Sequence, residues 1–238
     1  SGPDHIRALT GKMFKGDAIE NEFQRVCGVR RKEREASVVE SAIPALDSLV
    51  NVWAKTQTRL AVLHRKGFRD VLQDAAGMTT FNPARAREGL SEVFSVQRVD
   101  GAGVRAWKPH WDKMEYSDGP YWLTLMTAVY LRETADFDFL QERLPFMDGP
   151  PATAWEHMNR GLDYLFNDRN ARGLVRIRFA DWNDGLDGPG KGGEGDSTMV
   201  TMSLVGALRE LKAIAGVANL KPIYDIDERI GLVCDALE

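Results

Sequence analysis

Apolar residues recur at helical spacing through most of the chain. The clearest stretch begins at Ser197, where Met199, Met202, Val205, Leu208 and Leu211 fall every three residues, predicting a helix with one apolar face that Gly216 ends. Thr153 stands as an N-cap ahead of Trp155, Met158, Leu162 and Leu165. Asn82-Pro83 joins a capping residue to a proline in the first turn, opening a helix that places Leu90, Val93, Phe94 and Gln97 on or near one face. Gly119-Pro120 opens another, with Trp122, Leu125, Met126 and Val129 as its stripe. Upstream, Ser37-Val38-Val39-Glu40 has the spacing of a capping box, continued by Leu46, Leu49, Val50 and Trp53, with Pro44 a kink or boundary. A last helix is expected from Asp225 to Leu237, presenting Ile226, Ile230 and Val233. These stripes read as core.

Strand signals are thin. Val175-Arg176-Ile177-Arg178-Phe179 alternates and is expected to form a short strand or extended arm. Gly- and Pro-rich breaks at 100–103, 148–151 and 185–195 separate the helices, so the predicted class is all-α: helical hairpins with sites built from the loops at one end. Residues 1–37 are charge-rich, with Arg30-Arg31-Lys32-Glu33-Arg34-Glu35 a solvated face or linker, and 38–238 form the domain proper.

With 238 residues the chain suits one large domain, or at most two. A net charge of −4 supplies no field for a phosphate backbone, so nucleic acid is not expected as a partner. Cys27 and Cys234 share no metal-like spacing with His5, His64, His110 and His157; no metal or cofactor is expected, and the thiols fit a reducing cytoplasm. No apolar run reaches the roughly 18 residues of a membrane span, and no signal-peptide core is present. The opening Ser1-Gly2-Pro3, without Met, reads as the end of a fragment.

The loop Ala180-Asp181-Trp182-Asn183-Asp184-Gly185-Leu186 sets two carboxylates, an indole and an amide together. An acid can protonate a glycosidic oxygen while an aromatic face stacks on the sugar and an amide fixes its hydroxyls; the same letters also make a polar turn with a half-buried Trp. Between 53 and 74, arginines, lysines and aspartates crowd around Gly67, suiting sugar hydroxyls or a phosphate, or surface ion pairs. Trp107, His110, Trp111, Tyr116, Asp118, Tyr121 and Trp122 mix aromatic with hydrogen-bonding groups, as a carbohydrate cleft does and as a core can. Gly188 to Gly195 lacks the Gly-Lys-Ser/Thr ending of a phosphate loop and reads as a mobile loop beside the acid, with Glu194 a sugar contact.

In their order, Lys55-Thr56-Gln57, Gly67-Phe68-Arg69-Asp70 with Gln73-Asp74, Tyr116-Ser117-Asp118 before Trp122-Leu123, Ala180-Asp181-Trp182-Asn183-Asp184 and Gly193-Glu194 resemble glycoside hydrolase family 94, the inverting β-glycoside phosphorylases and related domains of cyclic β-1,2-glucan synthases. The resemblance covers roughly residues 50–216. It implies an (α/α)6 toroid and reversible phosphorolysis of a β-linked disaccharide or short oligosaccharide to an α-sugar 1-phosphate, with inorganic phosphate as co-substrate and no cofactor. On that pattern Asp184 is the general acid and Trp182 lines the sugar site beside it. Arg65 and Asp70 hold the glucosyl unit with Arg69 and Asp74 as supports, and Arg59 contacts phosphate. Asp118, Asn183 and Glu194 complete the substrate contacts.

Phosphate is already a nucleophile at neutral pH, so one acid suffices and Asp181 is expected to orient the loop. An inverting hydrolase would need a second carboxylate about 6.5–9.5 Å from the first, for which Asp118, Glu194 and Asp181 are the candidates. The family's further helices, bearing a His and a Thr-Gly pair for phosphate, find no match before Glu238. The expectation is therefore an incomplete ring that is a fragment, a non-catalytic sugar-binding or assembly module, or a chain completed as a homodimer or by another chain.

Overall fold

The computed structural model describes residues 2–61, 66–186 and 188–238, which fall into two compact units dividing between Thr56 and Gln57. Both are helical, and the fold is all-α.

The first unit holds α1 (Pro3–Met13), α2 (Ala18–Ala36), α3 (Pro44–Ser48) and a π-helical stretch, Leu49–Ala54. The charge-rich lead, expected as a solvated face or linker, is largely helix. Its charges sit at helical spacing, as in the Arg25–Glu22 pair at 2.5 Å, and support an exposed helix. The helix expected from Ser37 starts only at Pro44, because side chains capture the backbone before it. Asn51 accepts from Val39 N at 2.9 Å and donates to Val39 O at 2.8 Å, and Asp47 accepts from Ser41 N at 2.9 Å.

After α4 (Lys55–Ala61), the second unit comprises α5 (Phe68–Met78), α6 (Pro83–Phe94), α7 (Gly119–Thr134), α8 (Ala154–Asn167), α9 (Thr198–Ala218) and α10 (Ile226–Asp235). Two small antiparallel pairs accompany them: β1 (Lys66–Gly67) with β2 (Ala106–Lys108), and β3 (Arg143–Leu144) with β4 (Ala152–Thr153). The predicted caps do the work expected of them. Asn82 accepts from Arg85 N at 3.1 Å, Thr153 and Glu156 form a full capping box, and Ser197 accepts from Val200 N at 3.1 Å. Helix α9 passes through Gly216 and stops at Asn219, whose φ of 52° is a left-handed conformation that asparagine tolerates.

Helix α5 packs on α6 and α7, α7 on α8 and α9, and α9 on α10. Much of what the stripes predict is core: Leu90, Phe94, Met158, Leu162, Leu165, Leu208 and Leu211 are fully buried. The start of the α9 stripe is not: Met199 and Met202 are exposed and Leu204 is buried in their place, because a strict three-residue step drifts around a helix of 3.6 residues per turn. Val129 of α7 and Leu46, Leu49 and Trp53 of the first unit, read as core, are exposed as well. Residues 175–179 form no strand. They are an arm held by single bridges, Tyr116 to Arg178 and Arg176 to Asp196, because Arg178 turns out of extended geometry at φ 58°. Among the described residues no helix is long and apolar enough to cross a membrane, and no group of three or more His, Cys, Asp or Glu is placed to hold a metal.

Candidate active site

Three loops converge in the second unit. Pairing of β1 with β2, extended by a 3.1 Å bond from Phe68 N to Arg105 O, sets the first turn of α5 against Arg105. Gly67 is required at this crossing: a β-carbon there would lie 2.1 Å from Asp70 Oδ2, so a side chain would displace that carboxylate. The third loop is joined by Ser117 N, which donates to Ala180 O at 3.0 Å and binds the Asp-Trp-Asn-Asp segment to the start of α7. Between them lies a cleft of about 250 Å³, walled by Arg69, Asp70, Arg105, Tyr116, Asp118 and Asp184.

Arg69 is the hub. It donates to Asp118 Oδ2 at 2.8 Å, to Asp184 Oδ1 at 3.2 Å and to Trp182 O at 3.3 Å. Burial opposes its charge, but the bonds to Asp118 and Asp184 outweigh that and hold the guanidinium more firmly protonated than usual. Asp118 is almost wholly buried, and burial lifts its carboxyl above the ordinary range even though Arg69 pulls it down. Asp184 is half exposed in the cleft wall, with Arg105 Nη2 at 3.9 Å from its Oδ2.

The other acid of the tetrapeptide is differently engaged. Asp181 is buried, and its two oxygens accept from Ser197 Oγ at 2.7 Å and Asn183 N at 2.8 Å. Those bonds hold the loop and tie it to the start of α9. Asn183 in turn accepts from Gly185 N at 3.1 Å, and Trp182 is 53% exposed.

The structure thus brings Arg69, Asp70, Asp118 and Asp184 together in the cleft wall; Trp182 and Asn183 lie on the loop that carries Asp184, and neither is among the described lining. Asp74 lies one turn behind Asp70, half buried in a separate hollow with Lys66 and Glu92. Its Oδ2 has no hydrogen-bond partner among the described residues, and burial with the nearby Asp70 charge lifts its carboxyl to about 6. Glu194 is exposed, and neither it nor Arg59 of α4 is among the described lining of the cleft. Arg65 lies outside the described residues. The Gly-rich loop packs on the arm: Gly195 O accepts from Ile177 N at 3.0 Å, and a β-carbon on Gly190 would meet Arg178 O at 1.4 Å.

Two participants escaped the sequence reading. Arg105 follows Gly103-Val104 with no local pattern to mark it, and reaches the cleft only through the β1–β2 pairing. Ser197 was legible as a cap; its bond to Asp181 was not.

The profile of the glycosyl hydrolase 94 superfamily, catalytic domain, matches residues 32–228. A solabiose phosphorylase of Paenibacillus borealis is 37% identical over 90% of this chain and 28% of its own length. A cyclic β-(1,2)-glucan synthase of Rhizobium meliloti is 32% identical over 99% of this chain and 9% of its own. A cellobionic acid phosphorylase of Neurospora crassa is 27% identical over 85% and 28%. The chain therefore spans little more than a quarter of the phosphorylases it matches.

Proposed function

The chain belongs to the glycosyl hydrolase 94 superfamily, and from that premise we propose that it is the acid-bearing part of a β-glycoside phosphorylase. In the reaction proposed, the Asp184 carboxyl gives its proton to the glycosidic oxygen as the C1–O bond breaks. A phosphate oxygen bonds to C1 from the opposite face, so a β-glycoside becomes an α-sugar 1-phosphate and a free acceptor sugar. Phosphate is the co-substrate and no cofactor takes part.

The observation that carries this reading is the division of labour between the two acids of the loop. Both oxygens of Asp181 hold the loop, while Asp184 stands half exposed in the cleft. Asp118 is committed to Arg69, and Glu194 lies in solvent, which disfavours either as the base that hydrolysis by water would need. In this reading Asp70 accepts from glucosyl hydroxyls, and Arg65 shares the binding of that sugar. Arg69 and Asp118 hold the acid loop in place, Trp182 and Asn183 border the sugar, and Asp74 supports Asp70. Arg59 faces phosphate and Glu194 the incoming sugar. Residues 38–238 are the catalytic part and 1–37 a lead-in. The protein works in the cytoplasm, for which its two unpaired cysteines are the support, as a homodimer or with further toroid helices completing the phosphate side.

The test is phosphate release from α-glucose 1-phosphate with glucose, N-acetylglucosamine, gluconate and β-glucan oligomers as acceptors. Release that depends on one acceptor, and is abolished by Asp184→Asn, is expected. No release from folded protein with any acceptor would leave the chain a sugar-binding or assembly module.

A further inference from the structure

Inversion separates the two sides of the reacting sugar. If Asp184 protonates the departing oxygen, phosphate must approach C1 from the face away from it. Any cation beside the Asp184 carboxylate then stands with the departing sugar. Arg105 is such a cation, its Nη2 being 3.9 Å from Asp184 Oδ2, beyond hydrogen-bond reach.

The placement of Arg105 is built rather than incidental. Asp112 Oδ2 accepts from its Nη1 at 3.1 Å, and the ring of Tyr116 lies 5.0 Å below the guanidinium carbon. Asp112 is itself fixed by two backbone bonds with Ala106, of 2.8 and 3.2 Å. Among the described residues the bond to Asp112 is the one side-chain hydrogen bond Arg105 gives, although a guanidinium carries five N–H donors. In the same wall the Tyr116 hydroxyl is buried with no partner among the described residues. An unsatisfied buried hydroxyl and an open guanidinium fork in one cleft wall call for the same kind of partner, a group rich in hydroxyls.

We infer that Arg105 and Tyr116 form the acceptor-sugar wall of the cleft, with Arg105 also holding Asp184 in line, and that the acceptor is a neutral sugar bound through its hydroxyls. The inference rests on the phosphorylase reading for its choice of side. Neutrality follows from the charges: Arg105 already faces Asp112 and Asp184, so a carboxylate on the acceptor would meet two like charges.

Initial rates of synthesis by the full chain test it, with acceptor and α-glucose 1-phosphate varied in turn. Arg105→Lys and Tyr116→Phe should each raise KM for a neutral acceptor by about tenfold while KM for the sugar phosphate stays within about twofold. A rise confined to the sugar phosphate, no change in acceptor KM, or gluconate as the preferred acceptor would overturn the inference. If the unaltered chain releases no phosphate at all, the functional reading fails separately, and the wall is tested by saturation-transfer NMR with glucose and cellobiose. A signal given by the unaltered chain and lost in both folded variants supports it. An equal signal in all three, or none in any, sinks it.

Discussion

Gly67 and Asp70 compete for one small volume, and the competition makes Gly67 a control on the cleft. Its backbone is extended, with φ −90° and ψ 149°, so alanine there is not strained; the new methyl would instead push on Asp70 Oδ2. We predict that Gly67→Ala lowers affinity for the glucosyl sugar about tenfold, the loss of a hydrogen bond to a charged group, with little change in melting temperature. Calorimetric titration with glucose beside a thermal melt checks both halves. Asp74 gives a second prediction, in pH. Its folded carboxyl titrates near 6, above its unfolded value, so its protonated form favours folding at low pH. That contribution is lost as pH rises from about 4 through about 6. Asp74→Asn removes the penalty and should stabilise the protein by about 1 kcal/mol at pH 7 after allowance for solvent screening, and not at pH 4. Melts at the two pH values decide it; equal shifts at both would show that charge is not the cause. The place of Asp184 at the cleft was legible in the sequence because its loop is a single heptapeptide. Arg105 was not, because its relevance depends on strand pairing across some forty residues.

Helix termini carry the link between fold and site. Ser197 Oγ caps α9 by accepting from Val200 N and in the same place donates to buried Asp181, so one hydroxyl serves helix and acid loop together. Ser197→Ala should cost about 1–2 kcal/mol and loosen the acid loop, lowering turnover as well as stability. Thr153→Ala removes a cap of the same kind on α8, which has no described bond to the loop, and should cost about 1 kcal/mol while leaving turnover of the folded protein alone. Urea unfolding paired with initial rates distinguishes the two, and equal losses of turnover would show that the Ser197–Asp181 bond is not what positions the acid. The caps at Asn82, Thr153 and Ser197 were readable because a helix is written within its own few turns; which face of α9 is buried was not, since Met199 and Met202 are exposed where Leu204 is buried. Residues 37–43 and the 175–179 arm were misread or left open, since Asn51, Asp47 and the Tyr116 bridges that hold them come from elsewhere in the chain.

The two units differ in what holds them. Every member of the hydrophobic cluster lies between Phe68 and Leu237, within the second unit. In the first, the one buried residue among those described is Glu33 at 7%, while Phe14 and Trp53 are 77% and 66% exposed. Apolar burial is the main favourable term in folding, so a unit that buries almost none cannot offset the entropy of ordering its helices. We predict that residues 57–238 expressed alone keep the main thermal transition of the full chain to within a few degrees, whereas a peptide of residues 1–56 loses its helical signal gradually on heating, with no cooperative step. Circular dichroism melts of the three polypeptides check this. A cooperative melt of the peptide, or collapse of the larger piece without it, would mean that the first unit draws stability from contacts other than apolar burial. If the prediction holds, the cleft around Asp184 rests on the second unit alone.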